Sequence, residues 1–266
     1  MGRTAVAVLV AMLMVAAVLG SGPPAAGATE AVDSSADRAP FEEPTAPRVD
    51  EEILGLAPLV GITYREIQPG DRGFDVRWIQ NRLIDLHFDP GTPDGKMGQG
   101  TLSALWALEK ISGLEPVDNV TPEVWDILLN GVDIQPLVAD GEPTRAEIDL
   151  DLQVMEVWKD GELVLVTHIS SGSGRGYCNG GRCRRAVTPT GDYTINRTID
   201  GWRHAPLGNL YNPLYFNGGI AIHGSGFVPT WPDSHGCVRV PMHVAEELPS
   251  IINRGDPVHV ISNTDA

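Results

Sequence analysis

Cysteine is scarce in this sequence, with three among 266 residues. That excludes a disulfide-built scaffold, so each thiol needs its own account. Basic residues are also few, 19 Lys and Arg against 35 Asp and Glu. The resulting net charge of −16 argues against nucleic acid as a partner, since phosphate neutralisation requires a basic face. Cys178 and Cys183 could form a zinc half-site, but no second ligand pair at zinc spacing is evident, and no cofactor is expected. The N-terminal apolar run Ala5 to Leu19 has only 15 residues, short of the ~20 that span a bilayer. Arg3 before it and Ala26-Gly27-Ala28 after it instead predict a signal peptide over residues 1–28, hence export and no membrane span in the mature form.

Residues 29–64 are expected to form an acidic disordered linker. Between Thr29 and Glu52 there are eight acidic residues and only Arg38 and Arg48 to offset them, with Pro40, Pro44 and Pro47 interspersed. From Gln68 the pattern changes. Val76, Ile79, Leu83 and Leu86 predict an amphipathic helix from about Asp75, and Pro90 to Gly95 break it. Thr101 is expected to cap a second helix through Leu102, Leu105 and Leu108. Thr121-Pro122-Glu123 opens a third, which Gly131 ends. A helical module over 65–131 and a linker over 132–145 are therefore expected.

Beyond the linker the period falls towards two. Ile148 to Leu152, Val154 to Val157 and Leu163 to Ile169 read as strands, with Lys159-Asp160-Gly161-Glu162 as a hairpin turn. Asp192 to Thr198 and Pro257 to Ile261 add two more, and Met242 to Ile252 reads as a helix. The fold class is α+β: a small three-helix module followed by a mainly β sandwich or barrel over 146–262.

Export alters the reading of the cysteines, because disulfides persist outside the cytoplasm. Cys178 and Cys183 enclose a short glycine-containing loop and are expected to pair, leaving Cys237 free. Cys237 follows Ser234-His235-Gly236, and His223-Gly224 lies upstream. An unpaired thiol near two imidazoles suggests a cysteine nucleophile with a histidine base. His235 competes with His223 for that role, since side chains two apart in an extended segment share a face. Three further readings stay open: an inert buried cysteine, histidines that are hydrogen-bonded core residues, and zinc held by His223, His235 and Cys237.

Two resemblances sharpen these expectations. The segment Pro69 to Leu129 resembles a type 1 peptidoglycan-binding module, carried by Gly70-Asp71-Arg72-Gly73, Trp78-Ile79-Gln80, Asp94-Gly95-Lys96-Met97-Gly98, Thr101 and Thr121 with Trp125. It departs from the family at Leu108-Glu109-Lys110, where a Phe-Gln pair is more usual. Glu147 to Ile261 is similar to the L,D-transpeptidase catalytic domain of the YkuD type. The carriers are Gln153, Ser170-Ser171-Gly172, Thr188-Pro189-Thr190-Gly191, Ile222-His223-Gly224 and Ser234-His235-Gly236-Cys237-Val238-Arg239.

That resemblance implies an exported or cell-wall enzyme in which Cys237 attacks a peptidoglycan stem tetrapeptide and His223 is the base. D-alanine would leave, a thioester would form, and an acceptor amine would resolve it to a 3→3 cross-link. With water as acceptor the activity becomes L,D-carboxypeptidase, and a wall-binding protein without activity is the reading from another class. Gly236 and Cys237 amides are expected to hold the oxyanion, with His235 and Ser234 shaping the loop and the Gly224 carbonyl orienting the imidazole. Arg239 is expected to brace the loop or bind a substrate carboxylate, and Tyr215, with Tyr211, Phe216 and Trp231, to line the groove. Peptidoglycan peptide and glycan are the implied partners, and carbapenem-type β-lactams the implied inhibitors.

Overall fold

A computed structural model describes residues 65–262 of the protein. The expected signal peptide and the acidic linker lie outside the described residues. Among those described, no helix is long and apolar enough to cross a membrane.

Three helices come first: α1 (Phe74–Asp85), α2 (Gln99–Ile111) and α3 (Pro122–Asn130). Val76, Ile79 and Leu83 of α1 are buried, as their spacing requires, against Leu105 and Leu108 of α2 and Val124 and Leu128 of α3. Thr121 caps α3 as expected, its Oγ1 accepting from Val124 N at 3.3 Å. Thr101 does not cap α2. The helix opens two residues earlier, and the Thr101 hydroxyl, already inside the first turn, accepts from Gln80 Nε2 at 3.0 Å.

The β region contains β1 (Arg145–Asp149), β2 (Val154–Lys159), β3 (Glu162–His168), β4 (Gly176–Asn179), β5 (Arg182–Arg185), β6 (Gly191–Thr194), β7 (Arg197–Thr198), β8 (Trp202–Ala205), β9 (Gly208–Asn217), β10 (Ile220–Gly224) and β11 (Val238–Val240). A helix, α4 (Met242–Ile251), and a last strand, β12 (Pro257–Ile261), complete it. One sheet has the order β3-β2-β1-β12-β6; the second runs β11-β10-β9-β7, with β8 also on β9. Among these strands the β1–β12 and β10–β11 pairs are parallel and the other pairs antiparallel. Ile148, Met155, Val157, Val258 and Val260 of the first sheet meet Leu214, Phe216, Ile222, Val238 and Val240 of the second in one core, which α4 closes with Val244, Ala245 and Leu248. This is a sandwich in an α+β chain. The first strand ends at Asp149, short of the expected Leu152, because Asp149 Oδ1 accepts from the amides of Asp151 and Leu152, each at 2.8 Å, and turns the chain.

The helices and the sandwich share apolar packing. Val154 of β2 and Val166 of β3 belong to the helical core, and Val166 N donates to His87 O at 2.7 Å. Beside them Lys110 of α2 is buried, its Nζ 3.0 Å from His168 Nδ1 and 3.3 Å from Gln153 O. Since an ammonium only donates, Nδ1 accepts, and the remaining ring N–H at Nε2 donates to Val228 O and Pro229 O at 3.1 and 3.0 Å. A polar chain thus runs from α2 through β3 to the loop between β10 and β11. Glu109 is buried next to Lys110, which gives a structural reason for the departure at Leu108-Glu109-Lys110. Burial pushes the Glu109 carboxyl up to about 8 and the Lys110 amine down to about 8.

Candidate active site

The parallel pairing of β10 with β11 sets His223 opposite Arg239 and Ile222 opposite Val238. Side chains alternate along each strand, so Ile222, Val238 and Val240 enter the core while His223 and Arg239 share the other face. Cys237, two residues before Arg239, belongs to that face too. It packs beside Ala221, Leu210 and Tyr215. His223, Cys237 and Arg239 all line one cleft of ≈ 880 Å³.

The imidazole is oriented from behind. His223 Nδ1 donates to Gly224 O at 2.9 Å, which leaves Nε2 as the basic nitrogen of the neutral ring. Gly224 itself has no room for a side chain, because a Cβ there would lie 2.8 Å from Ala245 Cβ and 3.2 Å from Tyr211 Cδ1. Burial, with the Arg239 charge adding to it, depresses the His223 pKa below its ordinary value. Burial also raises the Cys237 thiol, against the opposing influence of the Ala221 backbone and Arg239. Desolvation therefore favours a neutral imidazole and a neutral thiol at rest. The sulfur is 3.8 Å from Gly219 O.

The loop before Cys237 is tied internally. Ser234 Oγ donates to Cys237 O at 2.5 Å and accepts from Gly236 N at 2.9 Å. The Gly236 amide, expected to face an oxyanion, is thus engaged within its own loop, and the Cys237 amide is the remaining candidate donor. Gly236 has φ 128°, and a Cβ there would meet Val187 O at 2.9 Å. Thr188 Oγ1 donates to Gly236 O at 2.8 Å and accepts from Gly172 N at 2.9 Å, joining the Thr-Pro-Thr-Gly turn to the loop before Cys237. Gln153 ties the neighbouring segment in the same way, its side chain bonding both the amide and the hydroxyl of Ser171.

His235 is exposed, its ring set edge-on to Tyr177 with centroids 4.8 Å apart. Arg239 Nη1 donates to Asp233 Oδ2 at 3.2 Å, and Arg175 Nη2 to Asp233 Oδ1 at 2.5 Å. Arg239 is thus tied to the loop through Asp233 while also lining the cleft. Tyr215 lines the cleft under the Arg197 guanidinium, 3.7 Å from the ring centroid. Phe216 is in the core and Tyr211 packs on Trp202, whereas Trp231 is exposed. Sequence reasoning does not single out Tyr177, Arg184, Asp233 or Phe227, all of which line the cleft. The first two are carried by the exposed β4–β5 hairpin, which Cys178 and Cys183 bridge. Among the described residues no group of His, Cys, Asp or Glu is arranged to hold a metal ion.

Comparison with known proteins agrees with this architecture. The family model for L,D-transpeptidase catalytic domains matches residues 143–260, and that for peptidoglycan-binding domains matches 72–128. No curated protein sequence matches the chain. Among solved structures, an L,D-transpeptidase from Xylanimonas cellulosilytica is 36% identical with a TM-score of 0.70, the match covering 74% of this chain and 98% of that one. An L,D-transpeptidase from Stackebrandtia nassauensis is 22% identical over 74% of this chain and 95% of that one, with a TM-score of 0.42. An Enterococcus faecium L,D-transpeptidase, a C442S mutant, is 25% identical over 46% of this chain and 51% of that one, with a TM-score of 0.38. At 36% identity over 74% of this chain and nearly all of the solved Xylanimonas chain, which comprises residues 123–326 of its protein, this chain belongs to the L,D-transpeptidase family.

Proposed function

We propose that the protein is an exported L,D-transpeptidase whose Cys237 is acylated by a peptidoglycan stem tetrapeptide. The observation that carries this reading is the strand register, which sets a free thiol and an oriented imidazole on one face of one cleft. His223 Nε2 takes the thiol proton as sulfur attacks the carbonyl between an L-centred diamino residue and the terminal D-alanine. The imidazolium then returns that proton to the departing D-alanine amine, leaving a thioester. Charge develops only during attack, consistent with a pair held neutral by burial. The Cys237 amide supplies the oxyanion donor. An acceptor amine on a second stem deprotonates to His223 as it attacks the thioester, giving the 3→3 cross-link and restoring the thiol. The same thiol would open carbapenem-type β-lactams. Residues 65–131 form the wall-binding domain and 146–262 the catalytic domain, with 1–28 as the export signal and 29–64 as the tether.

The test incubates purified protein with disaccharide tetrapeptides and follows products by mass spectrometry. Expected are released D-alanine, a Cys237 acyl adduct and a cross-linked dimer, all lost in Cys237→Ala, which keeps its fold. Free D-alanine without dimer would assign the carboxypeptidase reaction instead, and the absence of any adduct on reduced Cys237 would reject acyl transfer.

A further inference from the structure

The β4–β5 hairpin is exposed and carries Arg182, Arg184 and Arg185, with Arg175 just before it, in a chain of net charge −16. Its register pairs Tyr177 with Arg184 and Cys178 with Cys183. Cross-strand partners point to the same side, and adjacent pairs to opposite sides. Tyr177 and Arg184 therefore share one face, the one on which Tyr177 meets His235, two residues before the nucleophile. Both line the cleft that holds Cys237 and His223. The bridge at 178 and 183 sits on the opposite face and fixes the register. A slip of one residue would turn Arg184 away from the cleft.

The charges lining the cleft are three arginines and one aspartate. Arg239 is occupied by Asp233, which Arg175 also engages, and Arg185 Nε donates to Gly174 O at 3.0 Å. The Arg184 side chain has no hydrogen-bond or ion-pair partner among the described residues. It is thus an uncommitted planar fork at the mouth of the site, whose geometry matches a carboxylate in two-point contact.

We infer that Arg184 binds a carboxylate of the donor peptide, so that the cleft selects peptides with a free carboxylate near the acyl centre over the same peptides as carboxamides. This rests on the acyl-transfer reading for the identity of the ligand, while the contact itself needs no turnover. The guanidinium donates two N–H groups to the carboxylate oxygens. A carboxamide offers one acceptor oxygen and turns its own N–H donors towards a group that cannot accept.

The experiment uses the full chain carrying Cys237→Ala and two matched tetrapeptides, one with free carboxylates and one amidated, titrated by calorimetry at low salt. The carboxylate form is expected to bind about five- to tenfold more tightly, as for a charge-assisted pair at a partly solvated site. Arg184→Gln brings the ratio to about one. Arg182→Gln removes the same charge from the hairpin without touching the cleft lining and keeps the preference. Equal binding of the two peptides by the Cys237→Ala chain, a ratio retained in Arg184→Gln, or no saturable binding of the carboxylate peptide would each overturn the inference. Acyl transfer is read separately, from the intact mass of Cys237-containing protein. If that protein forms no adduct while the ratio still depends on Arg184, only the reaction fails.

Discussion

Replacing Gly224 by alanine tests how firmly the imidazole is seated. The added methyl would stand 2.8 Å from Ala245 Cβ, 3.2 Å from Met242 Sδ and 3.2 Å from Tyr211 Cδ1. The methionine can swing aside; the Ala245 methyl is fixed to α4. Strand and helix must therefore separate by roughly an ångström, since unstrained carbons approach to about 3.5–4.0 Å. Overpacking of this kind costs about 1–3 kcal/mol, and Gly224→Ala is expected near the upper end because the Ala245 Cβ has no rotamer by which to move away. The same displacement moves Gly224 O, the acceptor of His223 Nδ1. Misplacement of a catalytic group by about an ångström can cost about a hundredfold in rate, so Cys237 acylation is expected to fall by about ten- to a hundredfold. Urea unfolding gives the stability, and timed intact mass with a carbapenem gives the rate. A second change, Ala245→Gly, removes the opposing methyl and should recover most of the rate, though less of the stability, because glycine within a helix costs about 1 kcal/mol relative to alanine. A Gly224→Ala protein as stable and as reactive as the parent would refute the packing argument. Loss of rate that Ala245→Gly does not repair would place the defect elsewhere.

Two further outcomes follow from titration. Burial lowers the His223 pKa, so the base stays neutral to below its usual 6.5 and the acylation rate should turn down only under that pH. A downturn at or above it, or one that persists in His223→Gln, would remove His223 as the base. Glu156 is buried with Oε2 unpartnered, and burial plus the Glu147 charge push it up to about 7 from 4.5. The folded state then holds a proton that the unfolded chain has released, so stability falls as pH rises from 4.5 to about 7. At about 1.4 kcal/mol per pKa unit the window is worth about 3.5 kcal/mol at most. Glu156→Gln should gain that much on the parent between pH 5 and pH 8 in urea melts, whereas a pH-independent difference would contradict the assignment.

Much of the fold is legible in the sequence because its signals are local. The spacing of Val76, Ile79 and Leu83 follows one helix face, and Thr121-Pro122-Glu123 is a self-contained cap. The start of α2 is not, since Thr101 has the right chemistry for a cap and only its distant partner Gln80 shows where its hydroxyl is used. Strands β4, β5 and β8 carry mostly exposed polar residues and lack the alternation that announces a half-buried strand. For that reason nothing local points to Tyr177 or Arg184. His223, Cys237 and Arg239 stand out by residue type, and the strand register supplies what spacing cannot, the face they share. The engagement of the Gly236 amide by Ser234 Oγ depends on loop geometry that composition does not encode.

The link from Lys110 through His168 to Val228 and Pro229 joins the helical bundle to the stretch of chain that leads towards Cys237. With Val154 and Val166 buried among helical residues, there is no slack hinge at this seam. Bundle and cleft are consequently geared together: the thiol stands at a set angle and reach from the three helices, like a chisel fixed in its handle. Neither half could be exchanged for a foreign counterpart without recutting that joint.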